Sequence, residues 1–356
     1  MKNWFKKKIF INVSILLSML SLSVVNGRYG SKYGEIDKIE YAKHKKDSYS
    51  PAGMVYIKGK VFMNGSYGNK IANKEVKISE SPVGNFYMDA FCITNRQYKE
   101  FLKSVKNENS RKTDGTNQEK DEEFLSDEDK DEKEFFPEYN QDKDLLNLYV
   151  DKVMVSPDLS VWKNLVISND LEVYSFLDNL FSNYFTFKNY DNFPIVAVSY
   201  QAAILFAKWR TKMLNAYRES KKLPLLMNFR LPTKAEYLYA SKGAACAPKY
   251  SFGGQYPINN RGELIVNIKA SRGNLLGPLP NDKEREMPNS FGLYDMSGNI
   301  SSWISSNDGK ISKKIYYSAG GTWASTAYHA EVGNIKEQLN GAPSAEVSIR
   351  YVMSEC

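Results

Sequence analysis

The sequence has very little of the two residue types on which most metal and redox sites depend. Its 356 residues include three cysteines, Cys92, Cys246 and Cys356, and two histidines, His44 and His329. Three cysteines cannot form the disulfide framework of a small secreted domain, and no CxxC pair or Cys/His spacing typical of zinc is present. Two distant histidines are too few for most histidine-based metal sites. The shortage of cysteine and histidine therefore argues against a disulfide framework, a zinc site and most histidine-based metal sites.

Aromatic and aliphatic side chains, in contrast, are plentiful. Hydrophobic residues make up 42% of the chain and aromatic residues 13%. Aromatic side chains bury large areas even where regular elements are short, so this composition predicts a packed, loop-rich fold. The length suits one large domain or two ordinary ones, and it excludes disorder of the whole chain.

The formal net charge of +7 hides an uneven distribution of charge. Residues 119–134 hold ten acidic residues against three lysines, which leaves the rest of the chain more basic than the average suggests. The lysines are spread along the chain, without a helix-turn-helix or RNA-binding pattern. The sequence therefore predicts no nucleic-acid partner.

The N-terminus has the three parts of an export signal. Lys2, Lys6, Lys7 and Lys8 precede an apolar run over residues 9–25, and small residues allow cleavage after Gly27. The run is short for a permanent membrane helix, which favours a cleaved signal peptide at 1–27 over an uncleaved anchor. No cysteine follows the apolar run, so the sequence offers no site for a lipid anchor. We expect an exported protein.

Three further segments follow the predicted signal. Residues 28–51 are polar and predict a linker, and residues 52–356 predict one folded domain. Within that domain, residues 106–144 are highly charged and have little to bury, which is typical of a solvated insertion. The alternative is an acidic arm that engages a basic partner.

Local patterns predict several elements inside the domain. Residues 54–57 and 61–63 alternate around Gly59, which predicts a β-hairpin. Thr94 and Ser199 can each cap a helix. Thr233 with Glu236 three residues later has the capping-box pattern at the start of another helix.

Seven segments of the chain, in order, resemble the sulfatase-modifying-factor family, which has the formylglycine-generating-enzyme fold. The resemblance implies a single α+β domain with little regular secondary structure, related to C-type lectins. The segments are Phe86–Asp89, Ile93–Asn95 with Tyr98, Phe193–Val196 with Ala202 and Trp209, Arg230–Tyr237, Phe291–Asn299, Gly320–Trp323 and Ile349–Arg350.

Active members of that family oxidise a substrate cysteine to formylglycine with copper and a pair of cysteines. The resemblance places Ser325 and Ala330 at the positions of that pair, and neither side chain offers the soft ligand that copper(I) needs. Ser302 likewise stands where relatives have a carboxylate that helps to bind calcium, an ion that prefers carboxylate oxygens. The resemblance therefore implies no catalytic residue, no cofactor and no metal site, and the chain is predicted not to be an enzyme.

Other residues in this region have a structural and a functional interpretation. Gly298 and Asn299 are predicted to form a turn rather than a binding site. Trp209, Trp303 and Trp323 could line a ligand groove, but core packing is the favoured interpretation. His329 lies near the vacated cysteine positions, and it is given no role because no partner for a general base is evident.

A non-catalytic branch of the family resembles the chain more closely. The chain is similar to the GldK/PorK proteins of the type IX secretion and gliding-motility machinery at Pro157–Asp158 with Trp162, Tyr184–Phe185, Tyr190–Pro194 and Ala270–Asn274. That resemblance implies a structural component of a periplasmic ring under the outer membrane, a homo-oligomer with a GldN/PorN-like partner. Without the lipid-bearing cysteine, we expect outer-membrane association to be peripheral. The alternatives are a lectin-like ligand-binding module and a formylglycine-generating oxidase.

Overall fold

The structure, a computed structural model, describes most of the predicted domain. It describes residues 42–44, 48–64, 79–113, 155–164, 183–244, 248–269, 277–282, 287–305 and 315–355. The predicted signal peptide, Cys246, Cys356, residues 270–274 and residues 114–144 of the predicted insertion lie outside these ranges. Their interpretation therefore stays a prediction.

Short elements separated by long irregular segments make up the fold, which confirms the predicted α+β class. The strands are β1 (Ala42–His44), β2 (Ser48–Ser50), β3 (Met54–Ile57), β4 (Val61–Asn64), β5 (Ser79–Pro82), β6 (Phe86–Asp89), β7 (Ser301–Ile304), β8 (Ile315–Ala319), β9 (Ile335–Leu339), β10 (Val347–Ser348) and β11 (Val352–Ser354). The α-helices are α1 (Asn95–Thr113), α2 (Tyr200–Ser220) and α3 (Lys234–Lys242), and 3₁₀ helices span Leu159–Asn164, Lys188–Tyr190 and Ala327–Ala330.

The predicted hairpin between β3 and β4 is wrong. Strand β3 pairs antiparallel with β6, and β4 pairs antiparallel with β5. The segment between β3 and β4 passes close to a distant loop, because Gly59 donates its N–H to Asn85 Oδ1 at 2.8 Å and a Cβ at Gly59 would lie 2.1 Å from the carbonyl oxygen of Val83. Gly59 serves this close approach instead of a tight turn.

The two larger described sheets differ in reach: one joins the first part of the domain to its last part, and the other lies within residues 301–348. In the first sheet, β6 lies between β3 and β11. In the second sheet the order is β10-β7-β8-β9, with β10 parallel to β7 and the other neighbours antiparallel. The C-terminal strands β10 and β11 thus contribute to both sheets, so folding must bring the two ends of the domain together.

In the described part of the chain, α1, α2 and α3 each begin where the sequence predicts a cap. Thr94 Oγ1 accepts the N–H of Gln97, and Gln97 Oε1 accepts the N–H of Thr94. Ser199 Oγ accepts the N–H of Ala202 at the start of α2. The predicted capping box at Thr233 is confirmed, because both of its reciprocal hydrogen bonds to Glu236 form. Side-chain oxygens therefore satisfy helix N–H groups that have no partner within the helix.

Aromatic rings fill the core between the helices and the first sheet. Tyr98 of α1 stacks on Phe206 of α2 with 5.4 Å between ring centroids, and Phe206 stacks on Tyr351 at 5.8 Å. Tyr98, Phe206 and Tyr351 are fully buried. This packing confirms the prediction that buried aromatics hold together a fold poor in regular elements.

Two elements lie in segments that the sequence set apart from the main body. Strands β1 and β2 pair with each other inside the predicted linker, and α1 continues to Thr113 inside the predicted charged insertion. In the part of the chain for which the structure gives positions, no helix combines the length and apolar character needed to cross a membrane.

Candidate functional site

A double-glycine turn after β8 positions the candidate site. Gly320 and Gly321 have φ angles of +110° and +70°, which side chains rarely adopt. A Cβ on Gly320 would lie 2.5 Å from Tyr237 Oη, and a Cβ on Gly321 would lie 2.6 Å from the Cα of Ala330. The two glycines therefore let the chain approach α3 and the following 3₁₀ helix closely. We call residues 322–330, which follow this turn, the thiol-position loop.

Ser325, at the first of the two cysteine positions, belongs to a short chain of hydroxyl groups. Its Oγ accepts the N–H of Thr322 at 3.0 Å and lies 2.9 Å from Thr322 Oγ1. Thr322 Oγ1 in turn donates to Glu346 Oε2 at 3.2 Å. Glu346 lies in no sequence motif, and Thr322 is identified from the sequence only as part of the Gly320–Trp323 segment, although the spacing of three between Thr322 and Ser325 is a local signal for such a turn. The arrangement fixes the loop and contains no strong base.

His329 does not activate Ser325. Its Nδ1 lies 2.9 Å from Thr326 Oγ1, and its ring packs edge-on against that of Tyr328 with 5.3 Å between the ring centroids. A nucleophile needs a base within hydrogen-bond reach. The described contacts of His329 therefore hold it within the 3₁₀ helix, where its Nδ1 faces Thr326 and not Ser325.

Ala330, at the second cysteine position, is fully buried. It packs in a small apolar cluster with Tyr250 and Ile268. Its methyl group offers no lone pair to a metal ion. Copper(I) sites need thiolate or thioether ligands, so Ser325 and Ala330 do not fit the copper ion that the family resemblance implies.

Cys92 lies in a different, buried environment. Its Sγ is 3.4 Å from Ser302 Oγ and 3.8 Å from a guanidinium nitrogen of Arg350. Burial raises the pKa of the Cys92 thiol, although the nearby Arg350 charge acts in the opposite direction. A buried neutral thiol is a poor metal ligand and a poor nucleophile. Cys92 therefore does not replace the missing cysteine pair.

Asn299 forms the predicted turn and uses its whole amide group within the protein. Its Oδ1 accepts N–H groups from Asn267 and Leu279 at 3.0 and 2.8 Å. Its Nδ2 donates to the carbonyl of Leu279 at 3.2 Å and to Asp295 Oδ2 at 2.7 Å. Gly298 and Asn299 have φ angles of +82° and +59°. The turn is therefore confirmed, and the amide oxygen that could face an ion is already committed to two donors.

The residues around this turn do not fit the calcium ion of the relatives. Ser302 supplies a hydroxyl in place of a carboxylate, and calcium prefers six to eight oxygen ligands that include carboxylates. Across the ranges that the structure describes, no three His, Cys, Asp or Glu side chains cluster as metal ligands.

The tryptophans belong to the core, as favoured from the sequence. Trp303 is fully buried and donates its Nε1–H to the carbonyl of Val198 at 3.0 Å. Trp323 is also buried, and its ring stacks on Trp162 with centroids 6.3 Å apart. Trp209 is partly buried against the rings of Phe101 and Phe206. These contacts do not form a tryptophan-lined groove.

A set of buried polar side chains, absent from the sequence-based site predictions, holds this region to the first sheet. Asp89, at the end of β6, accepts two hydrogen bonds from Arg210 of α2 at 2.8 and 2.9 Å and one from the N–H of Tyr351. Arg350 donates to the carbonyls of Asp89 and Ala90 at 2.7 and 2.8 Å. We call Asp89, Arg210, Arg350 and Asn299 the buried polar frame.

The family of the chain follows from comparison of its sequence with family models. The sequence over residues 40–355 matches the model of the sulfatase-modifying factor enzyme 1-like domain. The chain belongs to this family. Among solved structures, that of PvdO from Pseudomonas aeruginosa is similar with a TM-score of 0.50 and 14% identity, over 85% of this chain and 94% of PvdO. This similarity supports the fold and carries no argument about function.

Curated relatives of this family member include both active and inactive proteins by name. The formylglycine-generating enzyme of Streptomyces coelicolor is 25% identical over 44% of this chain, and the inactive C-alpha-formylglycine-generating enzyme 2 of Bos taurus is 27% identical over 38%. The matched region spans 40% of the length of each of these two relatives. The family is therefore mixed, and membership alone does not decide whether this chain is an enzyme.

Proposed function

We propose that the chain is a non-catalytic structural component of the type IX secretion and gliding-motility machinery. In this proposal it is exported and assembles with further copies of itself and a GldN/PorN-like partner into a periplasmic ring. The ring lies at the inner face of the outer membrane. The resemblance of residues 157–194 and 270–274 to GldK/PorK proteins supports this assignment.

The observation that carries the non-catalytic part is the chemistry of the two cysteine positions. Ser325 is hydrogen-bonded to Thr322, and Ala330 is buried among apolar side chains. Oxidation by the family's copper chemistry requires thiolates at both positions. A relative in Bos taurus that is named inactive shows that a non-catalytic member of this family has precedent.

An assay for cysteine oxidation tests the non-catalytic part. The purified chain is incubated with a cysteine-containing peptide, copper and a thiol reductant, beside the Streptomyces enzyme as a positive control. We expect no formylglycine product above the level without protein. Copper-stimulated, thiol-dependent oxidation by the wild-type chain would support the oxidase alternative and overturn this part of the proposal.

Co-expression with neighbouring secretion genes tests the structural part. We expect the chain to purify in a large complex, and size-exclusion chromatography with mass spectrometry identifies the partners. A monomer that purifies without partners contradicts the ring. If that monomer also binds a defined glycan on an array, the lectin-like alternative replaces the proposal.

A further inference from the structure

The chain segment after α2 is clamped along the surface of that helix. Three side chains on one face of α2 bond to the backbone of residues 224–229. These bonds join Arg218 Nε to the carbonyl of Pro224, Asn215 Nδ2 and Oδ1 to the carbonyl and N–H of Leu226 at 3.1 and 2.9 Å, and Thr211 Oγ1 to the N–H of Phe229 at 2.9 Å. The backbone of this segment is therefore fixed to α2 at Pro224, Leu226 and Phe229.

The segment places two of its apolar side chains in solvent. Leu226 packs against the main core, whereas Leu225 and Met227 have 60% and 49% of their surface exposed. Leaving two large apolar side chains in water is unfavourable by itself, and the bonds from Asn215 fix the backbone between them.

Two lysines precede these exposed apolar side chains in the chain. Lys221 and Lys222 directly follow α2, and both are exposed. Lys222 has a φ of +55°, in the left-handed conformation that helix ends usually give to glycine. Glu219 is the one acidic residue between 217 and 230. We call Lys221, Lys222, Leu225 and Met227 the basic apolar patch.

We propose that the basic apolar patch docks onto an anionic lipid surface. Lysine ammonium groups attract anionic headgroups, and outward aliphatic side chains insert at the boundary of the acyl chains. The residue types favour lipid over protein, because protein interfaces concentrate their binding energy in Trp, Tyr and Arg and are depleted in lysine. The fixed backbone means that binding orders no further segment of chain.

The proposed function contributes only the identity of the membrane to this inference. Vesicle binding is measured without any partner protein. If the patch does not bind lipid, the proposal of a ring is unaffected. If the chain does not assemble into a ring, the proposal of lipid binding is unaffected. The two failures are therefore distinguishable.

Lysine footprinting of the full chain gives a position-resolved test. Acetylation rates of individual lysines are measured by mass spectrometry with vesicles of equal parts phosphatidylcholine and phosphatidylglycerol, and with vesicles of phosphatidylcholine alone. We expect the anionic vesicles to slow acetylation of Lys221 and Lys222 about threefold or more, with no effect on exposed Lys336. Equal rates in both kinds of vesicle would overturn the proposal. So would protection by soluble polyglutamate without protection by vesicles, because that result assigns the patch to an acidic protein.

Paired variants separate the patch from general surface hydrophobicity. The Leu225→Ser/Met227→Ser variant removes the apolar part of the patch, and Ile258→Ser/Leu264→Ser removes two exposed side chains elsewhere. We expect the first variant to lose the anionic-vesicle protection of Lys221 and Lys222 and the second to keep it. Equal protection in the two variants would show that the apolar side chains do not take part. Circular dichroism checks that both variants are folded.

Discussion

The buried polar frame and the thiol-position loop lie in the same domain and differ in what their side chains do. In the frame, charged and amide groups are buried or half-buried, and they bond to residues distant in the chain. In the loop, the side chains of Ser325 and His329 bond to near neighbours in the chain, and Ala330 contributes a methyl group. The side chains of the frame therefore join distant parts of the fold, whereas the loop holds the two positions at which the family resemblance implies a cysteine pair.

The largest expected effect is at Arg350, because it is fully buried and donates to three carbonyl groups. Arg350→Ala leaves these carbonyls without their donor, and we expect it to lower the free energy of unfolding by about 3 kcal/mol or more. Urea denaturation measures the change. If the alanine variant does not fold, Arg350→Lys, which keeps the charge, is measured instead. Arg261→Ala, at an exposed position, is the control. Equal stability of the Arg350 and Arg261 variants would contradict the frame.

Asn299→Ala is expected to have the next largest effect. The substitution removes four hydrogen bonds and places alanine at a φ of +59°. We expect a loss of about 2 to 3 kcal/mol, since buried donors and acceptors are left unpaired. The measurement is again urea denaturation, with and without a calcium chelator. A chelator that destabilises the wild type would show that an ion, and not the amide, holds this turn.

Glu236, in the first turn of α3, lies outside both regions and gives the stability of the fold a pH dependence. Burial acts to raise the pKa of Glu236, but its hydrogen bonds and attraction to Arg230 and its bonds to Thr233 outweigh burial and lower the pKa. A carboxylate with a lowered folded pKa stabilises the fold above its unfolded pKa of about 4.3, and that stability is lost as pH falls through the folded pKa.

We therefore expect Glu236→Gln to reduce the fall in unfolding free energy between neutral pH and the acid range, by about 1 kcal/mol. The Arg230 side chain is 38% exposed, which limits the effect through solvent screening. Thermal denaturation across pH compares the wild type, Glu236→Gln and the exposed control Glu337→Gln. An acid dependence that is identical in all three would show that this pair does not contribute.

Short-range patterns made part of this architecture predictable. The capping partners Thr233 and Glu236 are three residues apart, so helix geometry alone brings them together. The order of the family motifs identified Ser325 and Ala330 as the positions that correspond to the family's cysteine pair. Thr322 and Ser325 are equally local, and attention to their spacing could have predicted the hydroxyl pair.

Long-range pairing explains what the sequence could not predict. The Asp89–Arg210 bond joins residues 121 positions apart, and no local pattern selects one carboxylate among many for one guanidinium. The predicted hairpin at Gly59 was wrong for the same reason, because β3 pairs with β6 and not with the adjacent β4. Strand pairing depends on which apolar faces meet in the folded core.

The smallest expected effect is at Ser325, in the thiol-position loop. Ser325 is partly exposed, so water can replace its oxygen at the N–H of Thr322 after the substitution Ser325→Ala. We expect a change of about 0.5 kcal/mol or less in the free energy of unfolding. Ala330→Ser, the matched change at the buried position, is expected to cost more, about 1 to 3 kcal/mol, because it puts a hydroxyl among Tyr250 and Ile268. A loss at Ser325 as large as that of Asn299→Ala would place the loop within the frame and remove the division between them.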